Sequence, residues 1–257
     1  MSNRLTTRRV AVSAVLILLA GGCAVQPPAP EVLTNKQAHL DKRFVPSALD
    51  ESVRKSVSAQ GALPKRVTQV KLSYDLNIEN ETGTKIVQQS VSTMRDLGEG
   101  YVQETVEAFS NGIPGGTKFV LQYRGLTALR TQWIFPHSRF LEQPTEVKSI
   151  SELPTSAQPS PGSEFTVAVQ TGLAPQLINF TDSKLVCKAG PWQAAQTLHA
   201  KLPGRYSELS CERFNKGLLN ASMKLAWFED FGFARLTELK TNRSKEIAVI
   251  SDVSVEL

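Results

Sequence analysis

From residue 70 the chain alternates between apolar and polar positions. Val70, Leu72, Tyr74, Leu76 and Ile78 are separated by Lys71, Ser73, Asp75, Asn77 and Glu79. Successive side chains of a strand point to opposite faces, so this two-residue period predicts a half-buried β-strand with one wet face. The same character, less strict, covers 85–94, 101–109, 118–123 and 127–135, with a shorter stretch at 146–150. Turn signals separate them: Asn80-Glu81-Thr82-Gly83, Gly98-Glu99-Gly100, and Asn111 to Gly116 with two further glycines and a proline. The stretch 153–163 carries three prolines, which a central strand does not tolerate, so it reads as a long loop and a candidate internal boundary. Strand character then resumes at 165–169, 185–188, 206–214, 221–228, 233–240 and 247–255.

Two short segments follow a helical period instead. Leu49, Val53 and Val57 recur at i, i+4 and i+8, predicting a short helix from a Ser47 cap to about Gly61 that packs on the sheet. A second helix is predicted to open at Gly190-Pro191, because proline suits the first helical position. Trp192, Ala195, Leu198 and His199 would form its inner face, and Leu202-Pro203-Gly204 would end it. Short connections favour antiparallel neighbours. The expected class is therefore mainly β: an antiparallel, strongly curved sheet or incomplete barrel of about ten strands, with two short helices.

The start of the chain follows a different logic. Arg4, Arg8 and Arg9 precede the apolar run 10–20, which is too short to span a bilayer but has the length of a signal-peptide core. It ends in Leu19-Ala20-Gly21-Gly22-Cys23. This segment resembles the signal peptide and lipobox of bacterial lipoproteins, departing from it in placing Ala20 where a large aliphatic residue is usual. The resemblance implies that Cys23 becomes the new N-terminus, diacylated on sulfur and then N-acylated, and holds the protein to a membrane by several acyl chains. Ala24, rather than an aspartate, implies outer-membrane sorting with the domain facing the periplasm. The organisation expected is a signal peptide at 1–22, an acylated cysteine with a Pro-rich tether at 23–46, and a β-rich domain at 47–257. Gln26-Pro27-Pro28-Ala29-Pro30 favours an extended tether.

Export changes how charge and cysteines are read. The formal net charge of the 257 residues is +5, and three of the positive charges belong to the signal. No basic block interleaved with aromatics occurs, so nucleic acid is not an expected partner. With Cys23 acylated, Cys187 and Cys211 remain, and in an oxidising compartment two cysteines read as a structural disulfide. A redox pair would be expected to show C-x-x-C spacing. A metal site would need more ligands than the scattered His39, His137 and His199 supply.

Catalytic signatures are not found. Ser138, Ser151 and Ser163 lack a nucleophile elbow, and no Gly-rich phosphate loop or EF-hand pattern occurs. Glu229 and Asp230 are adjacent, would face opposite ways in a strand, and fit a turn with Gly232. No enzyme activity, metal or cofactor is therefore expected. The aromatic set of Trp133, Phe135, Phe140, Trp192, Trp227, Phe228, Phe231 and Phe233 fits either a core or an apolar pocket. In the run 227–233 the four aromatics cannot share one strand face, so some must meet a second layer or solvent, which makes the run the best surface candidate. The candidate ligand-binding residues are Trp133, Trp192, Trp227, Phe228 and Phe231. In architecture alone the domain resembles the lipoprotein-carrier folds of the bacterial periplasm, whose half-barrels hold acyl chains; no motif carries the likeness, so it transfers no function. The function expected is a membrane-anchored, non-catalytic β domain that binds a lipid or other apolar ligand. The alternatives are an envelope interaction or assembly factor without a pocket, and an envelope hydrolase.

Overall fold

A computed structural model describes residues 29–62, 67–138, 140–154 and 158–256. The signal segment, Cys23 and residues 24–28 of the tether lie outside the described residues. Three short helices, α1 (Ala29–Thr34), α2 (Lys36–Arg43) and α3 (Glu51–Ser58), precede twelve strands. These are β1 (Gln69–Asn80), β2 (Lys85–Gly98), β3 (Tyr101–Ser110), β4 (Ile113–Tyr123), β5 (Thr127–Ile134), β6 (Thr145–Glu152), β7 (Glu164–Leu173), β8 (Thr181–Ala194), β9 (Arg205–Asn215), β10 (Leu218–Phe228), β11 (Phe233–Lys240) and β12 (Ser244–Glu256). Each strand pairs antiparallel with the next, and β12 pairs with β1, so the sheet closes into a barrel.

Closure corrects the incomplete barrel expected from the sequence. The β12–β1 pairing runs from Gln69↔Glu256 to Asn80↔Ser244, almost the whole of both strands. Two long edges that would otherwise expose unpaired backbone groups are thereby removed. The sheet is not uniformly zipped. β5 meets β6 at Arg130↔Glu146 and Thr131↔Thr145, and β11 meets β12 only from Glu238↔Ile247 to Lys240↔Lys245. Beyond that seam β11 takes other partners: the Ala234 amide donates to the Arg124 carbonyl at 2.8 Å. Gly125 allows this approach, since it has φ +69° and a Cβ there would sit 1.9 Å from the Ala234 oxygen.

Residues 29–46 are not a tether. Pro30 lies in the first turn of α1, where a missing backbone N–H costs no helical hydrogen bond. Ala29, Val32, Leu40 and Phe44 are buried in a core with Phe119, Leu121 and Tyr123 of β4. Polar contacts fix the descent of this segment along the sheet. Lys36 pairs with Glu107, and His39 Nε2 meets Gln132 Oε1 at 2.9 Å. Asp41 pairs with Arg95, Gln103 donates to the Leu40 and Phe44 carbonyls, and Ser58 donates to Glu99. The expected apolar stripe holds, with Leu49, Val53 and Val57 buried. Its helix starts later than Ser47, because Pro46–Ala48 form a 3-10 turn ahead of an Asp50 cap.

The second expected helix is replaced by strand. Gly190-Pro191 lies within β8 as a bulge, between the pairs Ala189↔Leu209 and Trp192↔Ser207. A bulge leaves the proline out of the ladder, so its missing N–H is tolerated there. Only Ala195–Thr197 forms a 3-10 turn. Cys187 and Cys211 are directly opposed on β8 and β9 and form a disulfide closing a separation of 24 residues. Chain entropy values such a loop at about 3 kcal/mol.

Two buried clusters fill the fold, and β10 divides them. Leu225 and Trp227 belong to the cluster that includes Leu209, Val167 and the helices. Ala226 and Phe228 belong to the other, with Leu72, Tyr74, Met94, Phe231 and Phe233. Neighbouring residues of one strand are thus buried on opposite faces, each in a different cluster.

Burial makes His39 a pH sensor of stability. It packs edge-on against Phe119 at 4.8 Å, and burial holds its pKa below the ordinary 6.5, Gln132 opposing only in part. The unfolded chain therefore binds a proton at a pH where the folded one does not, so stability falls as pH drops below about 6.5 and is fully present above it. Chemical denaturation between about pH 7.5 and about pH 5, spanning the histidine range, is expected to show this loss, and His39→Gln is expected to flatten it.

Candidate functional site

Alternate connections of an antiparallel barrel lie at the same end. The β1–β2, β3–β4, β5–β6, β7–β8, β9–β10 and β11–β12 connections share one rim. Among the described residues, the large apolar side chains left exposed are all on the strands and loops of that half. They include Ile113, Phe140, Leu177, Ile178, Leu218 and Leu219, of which Leu177 is 85% and Phe140 83% exposed. Scattered apolar residues on a surface need no explanation, but their confinement to one end does.

A cavity of about 480 Å³ opens within this rim, lined by Gln88, Ala108, Phe109, Ser110, Gly115, Trp133, Phe135 and Glu142. Trp133 and Phe135 stand two residues apart on β5 and its exit, so both rings fall on one side and stack at 5.9 Å, 6° from parallel. Gly116 leaves room for Phe135, since a Cβ there would meet the ring at 2.9 Å. Lys118 pairs in register with Trp133, and its ammonium lies 5.9 Å from the indole centroid. Among the described residues Lys118 makes no ion pair, and burial, partly offset by Glu104, pulls its pKa below the ordinary lysine value.

Deeper on the same face is a polar network centred on Glu104. Glu104 accepts hydrogen bonds from Ser92 Oγ at 2.6 Å, Gln122 Nε2 at 3.1 Å and Arg235 Nη1 at 2.6 Å. Arg235 also lies over the Tyr74 ring at 4.8 Å. Arg213, whose pKa burial lowers, donates to Asn220 at 2.9 Å. Cations therefore outnumber the one carboxylate among these buried groups.

A larger groove, about 680 Å³, runs along β6–β9 past Ser149, Gln170, Asp182, Lys184 and Phe214. Its polar groups are used on one another: Ser149 donates to Gln170 at 3.0 Å, and Gln170 to Asp182 at 3.0 Å. The rim cavity, smaller but walled by stacked aromatics beside a cation that has no ion-pair partner among the described residues, is the better candidate.

Of the five aromatic candidates, only Trp133 lines this cavity. Trp227, Phe228 and Phe231 are buried core at 1%, 1% and 6% exposure, so the run 227–233 is not a surface. Trp192 is half-buried on β8 beneath the Arg205 guanidinium at 4.9 Å. Glu229 and Asp230 occupy the β10–β11 turn, where Glu229 receives both Nε and Nη2 of Arg205 at 2.6 and 2.9 Å. His137 sits in the β5–β6 connection, and His199 Nδ1 accepts from the Lys201 amide at 3.3 Å. Among the described residues no three histidine, cysteine or acidic side chains gather as metal ligands. Lys118 and the Leu177-Ile178 pair were not among the sequence candidates, and Phe135 stood only in the wider aromatic set. The available signal was an apolar pair inside a connection that also holds Pro175, where polar residues are the rule.

No family model matches the chain, and no curated protein matches it. Among solved structures the chain is similar to the crystal structure of a beta-barrel-like protein of domain of unknown function DUF1849 from Brucella abortus. That similarity has 8% sequence identity and a TM-score of 0.45, and it covers 76% of this chain and 100% of the other.

Proposed function

We propose that this chain is an envelope lipoprotein, anchored through Cys23 to the outer membrane, whose barrel holds one acidic amphiphile at its apolar mouth. The acyl chain lies against Trp133, Phe135, Phe109 and Ala108, and the acid group points to Lys118. The observation that carries the reading is the cavity itself: stacked aromatics at the opening, with a desolvated ammonium beside them that makes no ion pair. Apolar walls supply affinity without direction, and a few polar groups set orientation. An anionic head restores the charge balance that burial denies Lys118, since a charge-assisted hydrogen bond is worth about 1.5–3 kcal/mol. The role is binding and presentation, with no catalytic step.

The test is titration of the full chain with a long-chain fatty acid, read by fluorescence. Trp133→Ala removes an aromatic wall and is expected to weaken binding by tenfold or more, given about 1.5–3 kcal/mol for a large buried side chain. Lys118→Gln is expected to cost about tenfold for the acid and nothing for the corresponding alcohol. Trp192→Phe, outside the cavity, should leave affinity unchanged. Equal affinity for acid and alcohol in the parent protein would defeat the head-group assignment. No saturable binding of either would defeat the ligand reading.

A further inference from the structure

We infer that the apolar rim lies on the bilayer that Cys23 anchors, with the 174–180 loop inserted into its surface. This rests on the lipoprotein reading of Cys23 and adds an orientation to it. Three observations converge. First, the large exposed apolar side chains of the described residues occupy one half of the barrel. Exposed ion pairs occur in both halves, Lys85–Glu79 at the rim and Lys201–Asp252 and Arg205–Glu229 at the opposite end, so it is the exposed apolar side chains that distinguish the two ends. An apolar patch confined to one end of a polar barrel marks a surface that meets another apolar phase.

Second, the 174–180 loop is built to present its apolar residues. Its sequence, Ala-Pro-Gln-Leu-Ile-Asn-Phe, contains no charge. Gln176 organises it: the Leu173 amide donates to Gln176 Oε1 at 3.0 Å, and Gln176 Nε2 donates to the Ile178 and Asn179 carbonyls at 2.8 Å each. The side chain thus satisfies backbone groups that water would otherwise take, while Leu177 and Ile178 project at 85% and 71% exposure. Three backbone groups are thus satisfied within the loop while its apolar side chains turn outward, which suits shallow contact with the headgroup–acyl boundary.

Third, the chain enters the fold at this half. Lys36, at the start of α2, pairs with Glu107 near the rim end of β3, and the helices then run toward Glu99 at the other end. Six residue steps separate Cys23 from Ala29, a reach of at most about 20 Å. An acyl anchor at Cys23 therefore holds the rim half, and the mouth of the cavity, near the lipid.

The experiment uses the full, natively processed chain in vesicles of phosphatidylethanolamine and phosphatidylglycerol doped with a nitroxide-labelled lipid. A fluorophore is attached after Leu177→Cys at the rim or, separately, after Lys201→Cys at the opposite end; both sites are exposed, and circular dichroism verifies the fold. The expected result is severalfold stronger quenching by the labelled lipid at position 177 than at position 201, with aqueous iodide giving the reverse order. Vesicle-bound protein whose position 177 is as open to iodide as position 201 overturns the inference while leaving the anchor intact. A mass spectrum showing Cys23 unacylated overturns the anchoring reading. In that event, quenching at position 177 on adding vesicles still supports the docked rim, and its absence overturns it.

Discussion

Glu104→Ala is expected to lower stability by about 3–5 kcal/mol, the cost of breaking a buried ion pair by removing one partner. Glu104 is 5% exposed as a side chain and Arg235 14%. Burial works against the charge of Arg235, but Glu104 and Tyr74 outweigh it and hold its pKa above the ordinary arginine value. Deleting the carboxylate leaves a largely buried guanidinium that cannot shed its proton. It also orphans Ser92 and Gln122, both of which donate to Glu104. The pair has a topological role as well. β11 has left β12 at this point, so Arg235 reaching Glu104 ties β11 to β3 across the fold. Urea unfolding checks the size of the effect, and Glu104→Leu with Arg235→Met is expected to recover most of it, because two apolar groups leave no unpaired charge. A loss under about 1 kcal/mol for Glu104→Ala would place the pair among exposed ones.

Trp227→Ala is expected to cost a similar amount, about 3–5 kcal/mol, by opening a cavity in a packed core. Trp227 is 1% exposed, and its neighbours Ala226 and Phe228 are equally buried in the second cluster. Collapse around the void is hindered because the strand is covered on both faces. For a domain of marginal stability this is a large share of the total. Affinity at the rim, carried by Trp133, should survive in the folded fraction. A stable Trp227→Ala protein that had lost its ligand would instead make the tryptophan a pocket wall.

Much of the sheet was legible because one strong rule governs it. A strand with one dry face must alternate, as β1 does from Val70 to Ile78, and positions of the twelve strands could be read from that period and the glycine turns. The Cys187–Cys211 bridge was legible because, on the expectation of an exported chain with Cys23 acylated, those two thiols are left as partners. The readings that failed depended on local preference. Pro30 looked like a tether residue and is a helix start; Gly190-Pro191 looked like a helix start and is a bulge inside β8. Proline fixes one dihedral and removes one donor, and both outcomes satisfy that constraint.

The sequence by itself determined the strand period, the antiparallel order and the apolar stripe of α3, since each follows from spacing along the chain, and it pointed to the disulfide partners by the count of cysteines left once Cys23 is set aside. Only the tertiary structure decided that β12 returns to β1, that the aromatics of the 227–233 run are buried in two different clusters, and that Trp133 with Lys118 and Leu177 with Ile178 share one rim. The reason is range. A periodicity specifies which side chains share a face of one strand, whereas closure, layering and the gathering of six connections at one end arise from pairings between residues as distant as Gln69 and Glu256, which no local pattern encodes.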